Sequence, residues 1–595
     1  MSTRTKPTHS DLFRLLCLAL CTLGALLLTL TLLPGCGGGL ATPPTTGAVN
    51  RNAPPPGAEP SPIELTASLA TVKRLTLNWS WSELASVQRA LILEDPDGDG
   101  PLPATPLAEV PAAAGNATVE IFLPIALQAS YRVALCDGEA CTSSGTLRLQ
   151  GSLEETMGRF KADAPLQNAE FGISVALSQD GSVMAAGDIT GAVHLFERSG
   201  PGSWTSRGPV EAPSPAPGQL FDRALVLSAD GSVLVFGSIG LNAAGAAYVY
   251  RRQGDRWLFE RHLQGSELGP NDQFGHSLAL SGDGRTLAVG APTDDGPADS
   301  RLDDGAVYVF TESNGLWTET LLLRDGSGAQ EEWFGASLTL NADGTVLAVG
   351  SAYNNASGLG VHALPIDDVN APGSGAVYLY TRTLGTWSLD AFIKPPMDLG
   401  TGAFGSAVAL DARGKTLAVA AREADLDANG LVSRPAHSNS GSVHVFVRSE
   451  GGPWAPHGAP LRSPVPRRSD EFGRALALSA DGQTVVIGTQ YNDYSGLGVS
   501  TAESPIVTTD AGSAYVFRRQ ASGWESATIL QPSDHSTTGD RDVRLGSAVA
   551  ISGDGRTVAV GARSHGGPGS GVSSDPAIAY GDDPAFALSG AVFLY

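Results

Sequence analysis

From about residue 171 onward the chain repeats one alternation of apolar and polar positions. The clearest unit opens on Phe274-Gly275 and alternates through Ser277-Leu278-Ala279-Leu280. It turns at Asp283-Gly284 and resumes as Thr286-Leu287-Ala288-Val289-Gly290. After a loop of variable length comes Gly305-Ala306-Val307-Tyr308-Val309-Phe310, then Trp317 and, six residues later, Leu323. Runs of this length with a two-residue period, bounded by glycine, are the pattern of half-buried strands. Restarts fall at Phe171, Phe221, Phe274, Phe334, Phe404, Phe472 and Leu545. The central turns are Asp180-Gly181, Asp230-Gly231, Asp283-Gly284, Asp343-Gly344, Arg413-Gly414, Asp481-Gly482 and Asp554-Gly555. An Asp-Gly pair between alternating runs signals a hairpin, and a two-residue turn of this kind wants both residues at positive φ. Each repeat therefore predicts four antiparallel strands.

Seven four-stranded units at this spacing predict an all-β fold, a seven-bladed β-propeller spanning 151–595. A row of separate sheets would leave edges and apolar faces open. The last unit stops at Ala591-Val592-Phe593-Leu594-Tyr595, which is a third strand. A strand near 157–166 is expected to complete it, with Phe160 and Leu166 matching the spacing of Trp317 and Leu323. Ahead of the repeats, Arg74 to Trp81, Val87 to Leu93, Ala117 to Leu123, Tyr131 to Cys136 and Thr142 to Leu149 alternate over strand lengths. They predict a small β-sandwich over 63–150.

The N-terminus has the form of an export address: basic Arg4, Lys6 and Arg14, then an apolar run from Leu15 to Leu33. Leu33-Pro34-Gly35-Cys36 resembles the lipobox of bacterial lipoproteins. That resemblance implies a signal over 1–35, lipidation of Cys36, and an outer-membrane lipoprotein in the cell envelope, facing the periplasm or the exterior. An uncleaved anchor is the alternative, since the run is long enough to span a bilayer. Residues 36–62, rich in Pro, Gly, Ala and Thr, read as a tether.

The recurrent Phe-Gly, with a literal Gly290-Ala291-Pro292, resembles the FG-GAP repeats of integrin α-chain propellers. The resemblance implies a propeller that binds protein or glycan ligands, with calcium loops between the first and second strands of several blades. Here each such loop is replaced by the short turn, which offers too few oxygens for Ca²⁺. The stretch from Leu123-Pro124 to Tyr131-Arg132-Val133-Ala134-Leu135-Cys136 resembles the late strands of fibronectin type III domains, which implies that Tyr131 bonds back to the backbone at a sheet corner.

Gly (73) and Pro (39) are abundant, which suits short strands and turns. The net charge of −23 disfavours nucleic acid and anionic membrane surfaces as partners, so membrane attachment would run through the lipid alone. Cys136 and Cys141 flank a tight turn and are placed to close a disulfide across a hairpin; two free buried thiols are the alternative.

The loops between second and third strands lengthen along the chain, and long loops on a rigid scaffold are where binding resides. They carry Asp294, Asp295, Asp303, Asp304, Tyr353, Asp367, Asp368, Tyr491, Tyr494, Asp582 and Asp583 as ligand-binding candidates. A solvated acidic surface is the plainer reading. Asp95, Asp97 and Asp99, and again Asp425, Asp427 and Asn429, begin like calcium loops but lack the closing Glu. His194 and His444 fall at a third-strand packing position. No hydrolase, zinc or nucleophile motif is present, and Gly414-Lys415-Thr416 lacks the leading glycine and the helix of a phosphate loop. The expected function is non-enzymatic binding or adhesion at the cell surface by a monomer, with a protein or glycan ligand and Ca²⁺ as a possible ion. A polysaccharide-active enzyme and a structural envelope protein are the alternatives.

Overall fold

The computed structural model describes residues 63–595, apart from 71, 83–85, 97, 99–104, 150–152, 154–155, 214–218, 221–223, 241–243, 297–301, 326–329, 367, 434–435, 494–495, 504–508, 526–527, 534–542, 568 and 574–586. Cys36, Asp97, Asp99, Asp367, Tyr494, Asp582 and Asp583 lie outside the described residues. The protein is all-β, built from many small antiparallel sheets. Among the described residues no helix is long and apolar enough to cross a membrane.

Two sheets come first. One pairs Ile63–Ala70, Arg74–Trp81 and Asn116–Glu120; the other orders Ala108–Pro111, Arg89–Asp95, Ser130–Asp137 and Ala140–Ser143. Leu75, Leu77, Ile92, Val119, Val133 and Leu135 share one buried cluster. Cys136 and Cys141 face each other across the last hairpin and are disulfide-bonded. Tyr131 departs from expectation. Its hydroxyl donates to Glu94 Oε1 at 3.0 Å rather than to the backbone. Glu94 in turn accepts from Arg556 Nη2 at 2.7 Å, so the tyrosine completes a charged link to the last repeat.

Seven further sheets follow, one per repeat. The third is representative: Ser277–Leu280, Thr286–Ala291, Ala306–Ser313 and Leu316–Leu323 pair in chain order. Second strands are buried throughout and third strands over most of their length. Seven apolar clusters each lie between neighbouring sheets, the last of them between the seventh and the first.

The hairpin turns are not two-residue turns. Only the glycine has positive φ (Gly284, 69°), while Asp283 is not left-handed. Gly284 N donates to Ser281 O, and Ser281 N to Thr286 O, so four residues make the loop. The buried Ser281 hydroxyl accepts from Thr286 N at 2.9 Å and donates to Asp283 Oδ1 at 2.6 Å. Ser178, Ser228, Ser479 and Ser552 repeat the arrangement, and Asn341 and Asp411 accept in their places. The longer loop frees one residue per repeat to bond sideways. Gln179 N donates to Ala229 O, and the series runs on through Gly282, Ala342, Ala412, Ala480 and Gly553 back to Gln179 O, at 2.6–3.0 Å. A two-residue turn would have no backbone group to spare for this ring.

The seventh sheet pairs Leu545–Ile551, Val558–Ala562, Ala591–Leu594 and the early strand Gly158–Phe160. Phe160 pairs with Val592 just as Leu323 pairs with Val307. It therefore takes the place of Leu323 and not that of Trp317, and Leu166 lies beyond the strand, exposed. The shared six-residue spacing misaligned a strand that is only three residues long.

The small sheets share a core with the sixth and seventh. Between them Lys73 is buried and donates to Arg556 O and Thr557 Oγ1. Glu120 accepts from Arg198 Nη1 at 2.7 Å and Gly202 N at 2.6 Å in the first sheet.

Candidate functional site

Each Phe-Gly pair fastens one sheet to the next. Phe274 is buried against Tyr308 and Phe310, with ring centroids 5.5 and 6.2 Å apart, and bridges in parallel to Gly245 of the preceding sheet. Gly275 has φ of 94°, and a Cβ there would stand 2.5 Å from Ala246 O, so only glycine fits. The residue before the pair is left-handed without being glycine in six repeats: Glu170, Gln273, Trp333, Ala403, Glu471 and Arg544. Repetition marks this as a shared loop form, while the side chains displayed on it differ.

The residue after Phe-Gly then reaches a shared cavity. Ile173, His276, Ala336, Ser406, Arg474 and Ser547 line a cavity of about 280 Å³ at this end of the first strands. The ends of the second strands add Ala352, Arg422, Gln490 and Arg563, and Trp333 and Tyr353 complete the wall. A second cavity of about 350 Å³, lined by the first strands, continues toward the hairpin turns, and Leu476 and Val549 border both.

The mouth is cationic and aromatic. Arg422 Nη2 donates to Tyr353 OH at 3.2 Å, and Tyr353 OH donates to Glu423 Oε1 at 3.1 Å. Trp333 meets Tyr353 edge to face at 5.1 Å. Glu423, Glu471 and Glu170 stand 3.4, 3.9 and 3.6 Å from Arg422, Arg474 and Arg563, and none of the three glutamates lines the cavity. Gln490 is 1% exposed and its Nε2 has no hydrogen-bond partner; Arg563 Nε has none either.

Of the acidic and aromatic loop residues expected to bind, Tyr353 alone among those described lines this cavity. Asp294 is fully buried, accepting from Tyr308 OH at 2.7 Å, from Gly296 N at 2.8 Å and from Arg324. Asp304 is fully buried. Asp295 accepts from Asp303 N at 2.9 Å. Burial, with Asp295 and Glu331 beside it, raises the Asp303 pKa. Asp368 accepts from the Ser357 hydroxyl and amide, which holds its pKa down at about 2. The Arg544 guanidinium lies 5.7 Å over the Tyr491 ring.

Three of the long loops also fold outward. Val361–His362, Val499–Ser500 and Val572–Ser573 each pair on the outer edge of their own sheet's fourth strand. They cover an edge that would otherwise be free to pair.

Asp425 accepts from Asn439 N, and Asp427 from Asn429 N and Leu431 N, so these carboxylates cap their own loop. Asp95 is buried. Among the described residues no group of three or more His, Cys, Asp or Glu is placed to hold a metal ion. His194 contacts Asp188 at 3.2 Å and Phe171; His444 is buried against Phe404, and burial lowers its pKa to about 4.

Sequence reasoning passed over Arg422, Arg474, Gln490 and Arg563. The signal was available in the repeats themselves. Aligned on Phe-Gly and on the end of the second strand, these positions are apolar or small in several units and turn polar or cationic in the fifth to seventh.

Fold and site together define an all-β repeat protein whose sheets present one polar, concave mouth. Residues 257–310 match the family model for the FG-GAP repeat. The matched span runs from the fourth strand of the second sheet to the third strand of the third. No curated protein matches the chain. Among solved structures, the chain is similar to one described as a candidate 6-phosphogluconolactonase from Bacteroides uniformis. Identity is 13%, coverage 68% of this chain and 93% of that one, and the TM-score 0.39. So loose a superposition carries no argument about activity.

Proposed function

We propose that the chain is a cell-surface binding protein, a seven-bladed β-propeller whose loop face takes a protein or glycan ligand at the mouth of its axis. The reading of seven blades in a closed ring is supported by the sideways backbone bonds from Gln179 through Gly553 and back. The fibronectin type III-like reading of 63–150 is supported by its two antiparallel sheets, one of three strands and one of five. The observation that carries the function is the mouth itself. Arginines, a glutamine and two aromatics from different repeats converge there on strand ends, while the cavity toward the hairpin turns is lined mainly by leucine, valine and alanine. Among the described lining residues there is no Asp or Glu, so the paired carboxylates of a glycosidase have no counterpart there. Export and lipidation at Cys36 rest on the N-terminal pattern.

The labelled full chain, applied to an array of neutral and acidic glycans, is expected to retain a subset, and Tyr353→Ala to weaken that retention. Failure to retain any glycan, together with no saturable binding to intact cell surfaces, would sink the binding reading. Labelled palmitate should enter the wild type and not Cys36→Ala.

A further inference from the structure

We propose that the mouth recognises a carboxylate-bearing sugar, a hexuronate unit of an acidic glycan; this rests on the binding reading above and names its ligand class. The first ground is sign. The chain carries a net charge of −23, yet the mouth gathers Arg422, Arg474, Arg563 and His276 with no described carboxylate among its lining residues. The guanidinium groups line the cavity while their glutamate partners do not, so an anion entering the mouth meets donors first.

The second ground is unfilled donors. Gln490 Nε2 is buried without an acceptor, and so is Arg563 Nε. Buried donors are ordinarily paired, so two orphans on one cavity wall call for an acceptor from outside. A carboxylate supplies two acceptor oxygens in the plane a guanidinium fork prefers. Glu170, Glu423 and Glu471 stand outside the cavity, 3.4–3.9 Å from the guanidinium groups. At 3.4 and 3.6 Å, Glu423 and Glu170 orient the Arg422 and Arg563 forks without the short contact of a full charge-assisted bond.

The third ground is the rest of the wall. Trp333 and Tyr353 are part-exposed and set edge to face, giving an apolar surface beside polar groups. That mixture suits a pyranose ring, which has apolar faces and hydroxyl edges. Ser406, Ser547 and His276 supply further polar groups to meet hydroxyls. A volume of about 280 Å³ suits a single sugar unit better than a long segment. Inorganic phosphate shares the charge but not the ring, so it separates the two sources of anion.

The test is calorimetric titration of the full chain with D-glucuronate, D-glucose and inorganic phosphate at one ionic strength. Glucuronate is expected to bind saturably and more tightly at low salt, glucose to give no saturable heat, and phosphate to bind at least roughly tenfold more weakly. Arg563→Gln and Arg474→Gln should each weaken glucuronate by roughly tenfold or more with melting unchanged, and Arg563→Lys should recover part of the loss. Should a variant fail to fold, protection of Arg422, Arg474 and Arg563 from phenylglyoxal by glucuronate, read on the wild type, carries the test. Absence of both saturable heat and protection overturns the proposal. Equal binding of phosphate overturns the sugar, and equal binding of glucose overturns the carboxylate. In that last case a glycan-binding mouth still stands, so failure of this inference is distinct from failure of the binding reading.

Discussion

Replacing Lys73 with methionine probes the junction between the small sheets and the seventh repeat. The Lys73 side chain is 1% exposed, and its amine donates to Arg556 O and to Thr557 Oγ1. Burial lowers its pKa from 10.5 to about 7, against the opposing pull of Glu120. A depression of that size corresponds to about 5 kcal/mol between the two protonation states. Below the folded pKa the amine is charged in both states, and the native protein bears the whole cost of burying it. From about pH 7 to 10.5 the unfolded chain holds a proton that the native chain has released, so stability rises with pH across that window. Lys73→Met cannot titrate. Relative to it, the wild type should therefore gain about 3 kcal/mol on going from about pH 7 to about pH 9. The two lost hydrogen bonds contribute an offset of about 1–3 kcal/mol that does not change with pH. Urea unfolding of both proteins, followed by tryptophan fluorescence across that window, reads the difference directly. A difference that stays constant within about 0.5 kcal/mol would refute a buried, deprotonated amine at this junction.

Two further outcomes are expected. Phe160→Ala removes a fully buried ring that packs 5.2 Å from Phe196 and 5.5 Å from Trp204, and should lower stability by about 3–5 kcal/mol in denaturant titration; a loss below about 1 kcal/mol would mean that this strand does not hold the seventh sheet to the first. Asp470 is raised from 3.8 to about 8 by burial and by Glu503 and Asp493, so its contribution to stability is lost as pH climbs through that range; Asp470→Asn should be the more stable protein above about pH 8, by as much as about 6 kcal/mol, and equal to wild type below about pH 4.

What could be read from the sequence was whatever recurs. Phe-Gly, the glycine of each hairpin and the Gly-Ala-Val-Tyr-Val-Phe strand repeat because the backbone geometry at each admits little else, and the FG-GAP match at 257–310 falls on the best-formed copy. The hairpin itself was misjudged. Asp-Gly suggests a two-residue turn, but the buried hydroxyl of Ser281 and its counterparts stabilises a longer loop, and that serine recurs in five of the seven repeats against six for the aspartate. The site was harder to see, because a repeat hides its function in its exceptions. Loop length and acidity drew attention outward, whereas Arg422, Gln490 and Arg563 sit where other repeats place small or apolar residues.

The acidic loops have their own explanation in the residue that follows each fourth strand. In the third sheet that residue is Arg324, which reaches Asp294. In the fourth it is Lys394, which donates to Asn354 Oδ1 at 3.1 Å and Ser374 Oγ at 2.7 Å and feels the charge of Glu332. In the seventh it is Lys161, which donates to Gly567 O at 2.7 Å and Ser589 Oγ at 3.0 Å. Each cation enters the loop between second and third strands of its own sheet and gathers the loop's acceptors inward. Acidic side chains there are consumed as structure, which is why Asp294 is not offered to a ligand. In the sixth sheet the corresponding residue is the neutral Gln531, and Asp470, on the segment that leads into the first strand, has its pKa pushed up to about 8 by burial together with Glu503 and Asp493. A cation therefore organises these loops in the third, fourth and seventh sheets, and because burial lowers the Lys394 pKa to about 8, the fourth loop and the segment around Asp470 both respond to pH in the same range.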